Sequence, residues 1–308
     1  MHERTVVMST DPYPVPRKSL SLTILAWAAL ILVSTVPDIA MDKLQGGIPA
    51  WLTYAKMALL LVLGLTAFVW KPLRPLRNFF IVMLGFFGLF VLLLLVNFSW
   101  TFLQALFGGS VFDVRMQAEQ TGKLAASVAM IVLLIVLGYK RRDFFLTRGN
   151  LRALIEPVPL LGFPKPVPWT RFGLLWAFNI AAALAVVQYF GLRPGWILLL
   201  RVVPILPSIL FYAALNAFNE ETVFRAPILA TLESVAGSRQ ALWMSACFFG
   251  IAHYFGIPGG ILGGIASIFM GWILGKAMVE TRGLFWSWWI HFLSDVVIFV
   301  FLAMALLK

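Results

Sequence analysis

Six residues in the last third of the chain have types and spacings that could do chemistry together: Glu220, Glu221, Arg225, His253, His291 and Asp295. Two adjacent carboxylates in a low-dielectric site cannot both ionise cheaply, and one of them can serve as a general base towards water. Two imidazoles can donate to a developing oxyanion or ligate a metal. Glu221 and Arg225 are four apart, on one face of a helix, so the guanidinium can hold that carboxylate ionised and in place. Glu220 lies about 100° further round the same helix. His291 and Asp295 are also four apart, which lets the carboxylate orient the ring and set its tautomer. His253 follows Phe249 by the same interval. Such a set suits hydrolysis of a peptide bond. A purely structural salt-bridge cluster would need fewer charges and no adjacent carboxylate pair.

These residues are conspicuous because the chain has so few like them. Its 308 residues include 13 acids and three histidines; 61% are apolar and 12% charged. The mean hydropathy is +0.92. A soluble domain is about half apolar and a quarter charged. The composition therefore indicates a polytopic membrane protein and excludes disorder, a collagenous chain and a disulfide scaffold. The single cysteine, Cys247, cannot form an internal bridge and reads as a small core side chain. The net charge of +11 is not a nucleic-acid signal, because no basic stretch is long enough and free of apolar neighbours. We expect no nucleic-acid partner.

Apolar runs of roughly 20 residues predict an all-α, polytopic membrane helix bundle of about nine (eight to nine) transmembrane helices. The runs are 20–40, 51–70, 78–98, 122–139, 171–191, 205–232, 239–257, 259–279 and 284–307. The piece 196–203 either extends the sixth span, lies at the interface, or leads into a kink at Pro204 and Pro207. With the N-terminus inside, about two thirds of the 24 Lys and Arg residues fall on inner segments, which fits nine spans and an outer C-terminus. Of the acids, only Glu220, Glu221 and Asp295 are placed within spans. The others, Asp38, Asp113, Glu119, Glu233 and Glu280 among them, are assigned to loops; Arg115 and Lys123 are counted as outer basic residues, and Lys56 and Arg225 lie within spans. An ionisable group at mid-bilayer costs roughly 2.5–3.5 kcal/mol, so the intramembrane set must face itself or a wet cavity. At ~1.5 Å per residue the three motif-bearing helices bring their polar groups to overlapping depths.

The chain divides into a cytoplasmic tail (1–19), N-terminal transmembrane helices (20–200), and a helix bundle carrying the chemistry (205–307). The first span is read as a retained helix rather than a cleaved signal. The loop 140–170 is basic and Pro-rich, so it holds no regular helix. Its Phe144, Phe145, Leu151, Leu154 and Ile155 suggest a segment on the anionic inner leaflet; the plainer reading is a positive-inside linker. Asn97, Ser99 and Trp100 read as interfacial. Gly259, Gly260, Gly263, Gly264 and Gly271 read as allowing close helix packing. Asn216 and Asn219 either line the cavity or bond between helices. No internal repeat supports a duplicated transporter.

The motifs EETVFR (220–225), FGIAH (249–253) and HFLSD (291–295), in this order on apolar helices, resemble the CPBP family of CAAX prenyl proteases and of bacteriocin-processing and Abi-type intramembrane proteases. The resemblance covers roughly 205–300 and implies an intramembrane endopeptidase. Its substrate would be a membrane-associated protein or peptide, and its other partner the lipid bilayer. Carried over residue by residue, Glu220 activates water, Glu221 and Arg225 support it, His253 assists catalysis, and His291 with Asp295 completes the site. Phe249 is a further supporting residue. Asp295 stands where many members have Asn, and Ala226 where Gly is common. The resemblance leaves open a metalloprotease, with Glu220, His253 and His291 as Zn²⁺ ligands, or a glutamate-type protease with no cofactor. The chain lacks a His-Glu-x-x-His pattern, which favours the second. A prokaryotic plasma membrane is the expected location. The competing functions are a non-enzymatic scaffold or immunity protein of the same fold, and a proton-coupled transporter.

Overall fold

A computed structural model describes residues 19–257 and 259–307, and all described elements are helical apart from two isolated bridges. The expected tail thus lies outside the described residues, except for Ser19. Among the described residues thirteen α-helices follow one another: α1 (Leu20–Val33), α2 (Val36–Gln45), α3 (Trp51–Val69), α4 (Arg77–Leu95), α5 (Thr101–Gln104), α6 (Val111–Val136), α7 (Trp169–Leu192), α8 (Trp196–Val202), α9 (Leu206–Glu220), α10 (Ala226–Ala236), α11 (Ser238–Ala252), α12 (Gly260–Thr281) and α13 (Phe285–Leu306). Apolar side chains such as Leu65, Val69, Leu94, Phe178 and Trp196 point outward, as the lipid-facing side of a membrane bundle requires. The protein is an integral membrane protein.

Among the described residues seven helical stretches are long and apolar enough to span a bilayer, or eight if the bent pair α1–α2 is one span. The expected span over 239–257 is the exception. It is the 15-residue α11, which rises only about 22 Å against a hydrocarbon core of ~30 Å. The count by length is therefore seven or eight among the described residues, with α11 a short arm that ends at His253. The expected first span, 20–40, is bent by 40° between α1 and α2. Pro37 at the start of α2 explains the break, since it has no N–H for the ladder. Residues 196–203 extend the sixth span: α8 runs into α9 through a tight turn at Val203–Ile205 that contains Pro204.

Several acids placed in loops are helical. Asp38 lies in α2, Asp113 and Glu119 in α6, Glu233 in α10 and Glu280 in α12. The loop after α6 has no α-helix, as its prolines dictate, yet it is not a free membrane-surface segment. Phe144, Phe145 and Ile155 are buried in the cores, and only Leu154 of the named apolar residues is exposed. Lys276 Nζ reaches the Glu156 carbonyl, and Glu280 accepts from the Glu156 N–H and the Trp169 indole. These bonds tie the loop to α12.

The bundle around the motifs is built on small residues. α11 and α12 pack closely, and a Cβ added at Gly250 would sit 2.3 Å from the Ile268 backbone nitrogen. At Gly271 it would meet the Ala246 Cα at 3.2 Å. Of the glycines read as packing residues, Gly271 has this role, joined by Gly250 and Gly275. α13 lies against α7, α9 and α12, and α6 lies against α9. This arrangement brings α6, α9, α11 and α13 around one polar centre.

Candidate active site

The first motif straddles a change of helix type. Glu220 is the last residue of α9, and Glu221–Arg225 form a π-helical turn before α10. The Ala226 N–H reaches back five residues to the Glu221 carbonyl. Pro227 gives a physical cause, because its ring crowds the carbonyl one turn earlier and it donates no bond itself. The extra residue lets adjacent carboxylates face different partners.

Glu221 and Arg225 are fully buried and ion-paired. Glu221 also accepts from the Ser287 hydroxyl and from His291 Nδ1, the latter at 2.8 Å. The Arg225 guanidinium lies over the Phe249 ring, 4.6 Å from its centroid. That contact partly compensates its Nε and one Nη, which have no hydrogen-bond partner among the described residues. The Phe249 ring also touches both imidazoles, with centroids 4.3 Å from His253 and 5.9 Å from His291. One aromatic ring thus spaces Arg225, His253 and His291.

A carboxylate can only accept, so His291 carries a proton on Nδ1, and its Nε2 faces Glu220 and Asp295. Nε2 lies 3.6 Å from Glu220 Oε2 and 3.6 Å from Asp295 Oδ2. Both gaps exceed a hydrogen bond. Glu221, rather than the expected Asp295, fixes the tautomer of His291. Asp295 is itself held by Asn216 Nδ2 at 2.9 Å. His253 Nδ1 lies 2.8 Å from the Phe249 carbonyl, an acceptor, so that nitrogen carries the proton and Nε2 is left for another partner.

Glu220 differs from Glu221. Its Oε1 is 3.1 Å from Lys123 Nζ, while its Oε2 has no hydrogen bond among the described residues. Lys123 also donates to Asn216 Oδ1 at 2.8 Å and pairs with Glu119 at 2.9 Å. Side-chain exposure rises from 14% at Glu220 to 31% at Lys123 and 45% at Glu119. The centre therefore opens on the α6 side.

All six motif residues converge with Phe249. Lys123 and Glu119 escaped the sequence reading because α6 begins at Val111 and not near residue 122, and Ser287 because its bond to Glu221 joins α13 to a residue far away in sequence. The signal was present: Ser110 and Asp113 form a reciprocal capping box that starts the helix. Asn216 lines the centre. Asn219 instead bonds across to Gln120 and Ser127 on α6.

A Zn²⁺ set of Glu220, His253 and His291 would need three donors about 2 Å from one point. No three His, Cys, Asp or Glu side chains among the described residues form such a group. The Lys123 ammonium would also meet a dication at Glu220 as a like charge. The donors as arranged do not fit the metal.

Residues 202–297 match the family model of the type II CAAX prenyl endopeptidase Rce1-like proteins. This stretch is an Rce1-like domain. It contains all three motifs and bears out the resemblance to the CPBP family. The match spans about a third of the chain, and α1–α7 lie outside it. No curated protein and no solved structure matches the chain. The family is described as one of prenyl endopeptidases, and the match supports a membrane endopeptidase in general terms.

Proposed function

We propose that the chain hydrolyses a peptide bond of a membrane-associated protein or peptide by glutamate-activated water. The observation that supports this best is the asymmetry of Glu220, with Oε1 tied to Lys123 and Oε2 free beside His291 Nε2. Oε2 takes a proton from water, and the water oxygen attacks the carbonyl carbon. The oxyanion so formed is stabilised by the imidazolium form of His253 or His291, which carries a proton on Nε2 as well as on Nδ1. As the tetrahedral species collapses the C–N bond breaks, and Glu220 returns its proton to the leaving amine. Glu221, Arg225 and Ser287 hold His291, and Asn216 holds Asp295. Nothing in this sequence of steps uses a metal.

The substrate reaches the centre from the α6 side, where exposure increases. The basic turns at 71–77 and 140–171 support a cytoplasmic N-terminus and inner faces for those loops, in what we take to be a prokaryotic plasma membrane. The test uses the purified full chain in lipid with a membrane-anchored peptide substrate. Glu220→Ala and His253→Ala should abolish cleavage while leaving folded yield intact. Cleavage should also survive chelation and be unaffected by Zn²⁺. Activity in Glu220→Ala would reject the reading, and loss on chelation with recovery on Zn²⁺ would reject the metal-free step.

A further inference from the structure

We infer that Lys123, on a helix outside the Rce1-like match, is a positioning residue for the general base; this rests on the reading of Glu220 given above. Its ammonium sits between three acceptors, Glu220 Oε1 at 3.1 Å, Asn216 Oδ1 at 2.8 Å and Glu119 Oε1 at 2.9 Å. Two of these belong to α9 and one to α6, so the lysine joins the helix that carries the base to the helix that walls the opening.

The charge is placed where the site needs it. Arg225 is committed to Glu221, so it does not serve Glu220. Among the described residues Lys123 is the only Lys or Arg that pairs with Glu220. It binds Oε1, which turns Oε2 towards His291 and leaves that oxygen for water. Its i,i+4 partner Glu119 is nearly half exposed and anchors the ammonium from the open side. Gln120, one turn before Lys123 and two before Ser127 on the same helix face, donates to Asn216 at 2.9 Å. The centre is therefore incomplete without α6, and residues 202–297 alone lack a Lys or Arg partner for their base among the described residues.

The test compares the full chain with Lys123→Met, Lys123→Gln and Lys123→Arg in lipid, measuring kcat, KM and melting temperature. A base displaced by about 1 Å loses on the order of 100-fold in rate, so kcat of Lys123→Met should fall about 100-fold. KM should stay within about twofold, since the lysine acts through Glu220 and not on the substrate. Lys123→Arg keeps the charge and should recover most of kcat. If Lys123→Met does not fold, the neutral but hydrogen-bonding Lys123→Gln carries the same comparison. Values of kcat within about threefold of wild type in the neutral variants would overturn the inference, as would equal losses in Arg and Gln. Glu220→Gln is measured alongside. If it is inactive while Lys123→Met is active, only the role of Lys123 fails; if it is active, the general base fails and the positioning role with it.

Discussion

Lys56–Asp38, among the N-terminal helices, and Arg225–Glu221, in the Rce1-like domain, are both ion pairs within the bundle; the second is fully buried, whereas in the first only Lys56 is buried and Asp38 is partly exposed. The first is closed. Lys56 also donates to the Ser34 carbonyl at 2.8 Å, one of the acceptors left free where α1 ends, and Phe87 covers it. Among the described residues no histidine or further carboxylate bonds to it. The second pair is open-ended. It continues through His291 to Glu220 and Asp295, and from Glu220 to Lys123, Asn216 and Glu119. An isolated pair pins a bend, whereas a chain of charges that runs on to a second carboxylate beside an imidazole sets a base next to a proton donor. Burial of charge does not mark a site; the second carboxylate and the imidazole joined to it do.

Three substitutions would break or sharpen this contrast. Glu221→Ala has the largest expected effect, because it strands Arg225 in the core and releases His291. We expect loss of detectable cleavage and a destabilisation of roughly 3–5 kcal/mol, measured by thermal unfolding in detergent. An unchanged melting temperature would contradict the buried-pair account. Lys56→Met should reduce stability by up to a similar amount, roughly 3 kcal/mol, because Asp38 loses its partner, yet the folded fraction should turn over at the wild-type rate. A fall in kcat per folded molecule would erase the distinction between the two pairs. Arg282→Ala, which removes the surface fork to Glu233 at 2.7 Å, should cost about 1 kcal/mol or less and leave cleavage untouched.

The legibility of the centre follows the range of each contact. Glu221–Arg225, Phe249–His253 and His291–Asp295 are each four apart on one helix, and the helical repeat alone puts each pair on a shared face. Scarcity of acids in an apolar chain then singled them out. Lys123–Glu220 and Asn216–Asp295 join residues far apart in sequence, and no periodicity encodes such pairings. Lys123 was further hidden by a misplaced boundary. The polar stretch 111–121 reads as a loop by hydropathy, but its capping box and i,i+4 Glu119–Lys123 pair are helix signals. The fold class was plain from composition. The short α11 was not, since its apolar run continues past the turn at His253 where the helix stops.

The central claim is that Glu220 is the base of a membrane endopeptidase. It is tested most directly by comparing peptide ends in the membrane proteomes of cells carrying the wild-type chain or Glu220→Gln at equal folded abundance. The account predicts one or more cleavage products that are present with wild type and absent with Glu220→Gln. Identical sets of products in the two strains, with uncleaved substrate equally abundant, would contradict it.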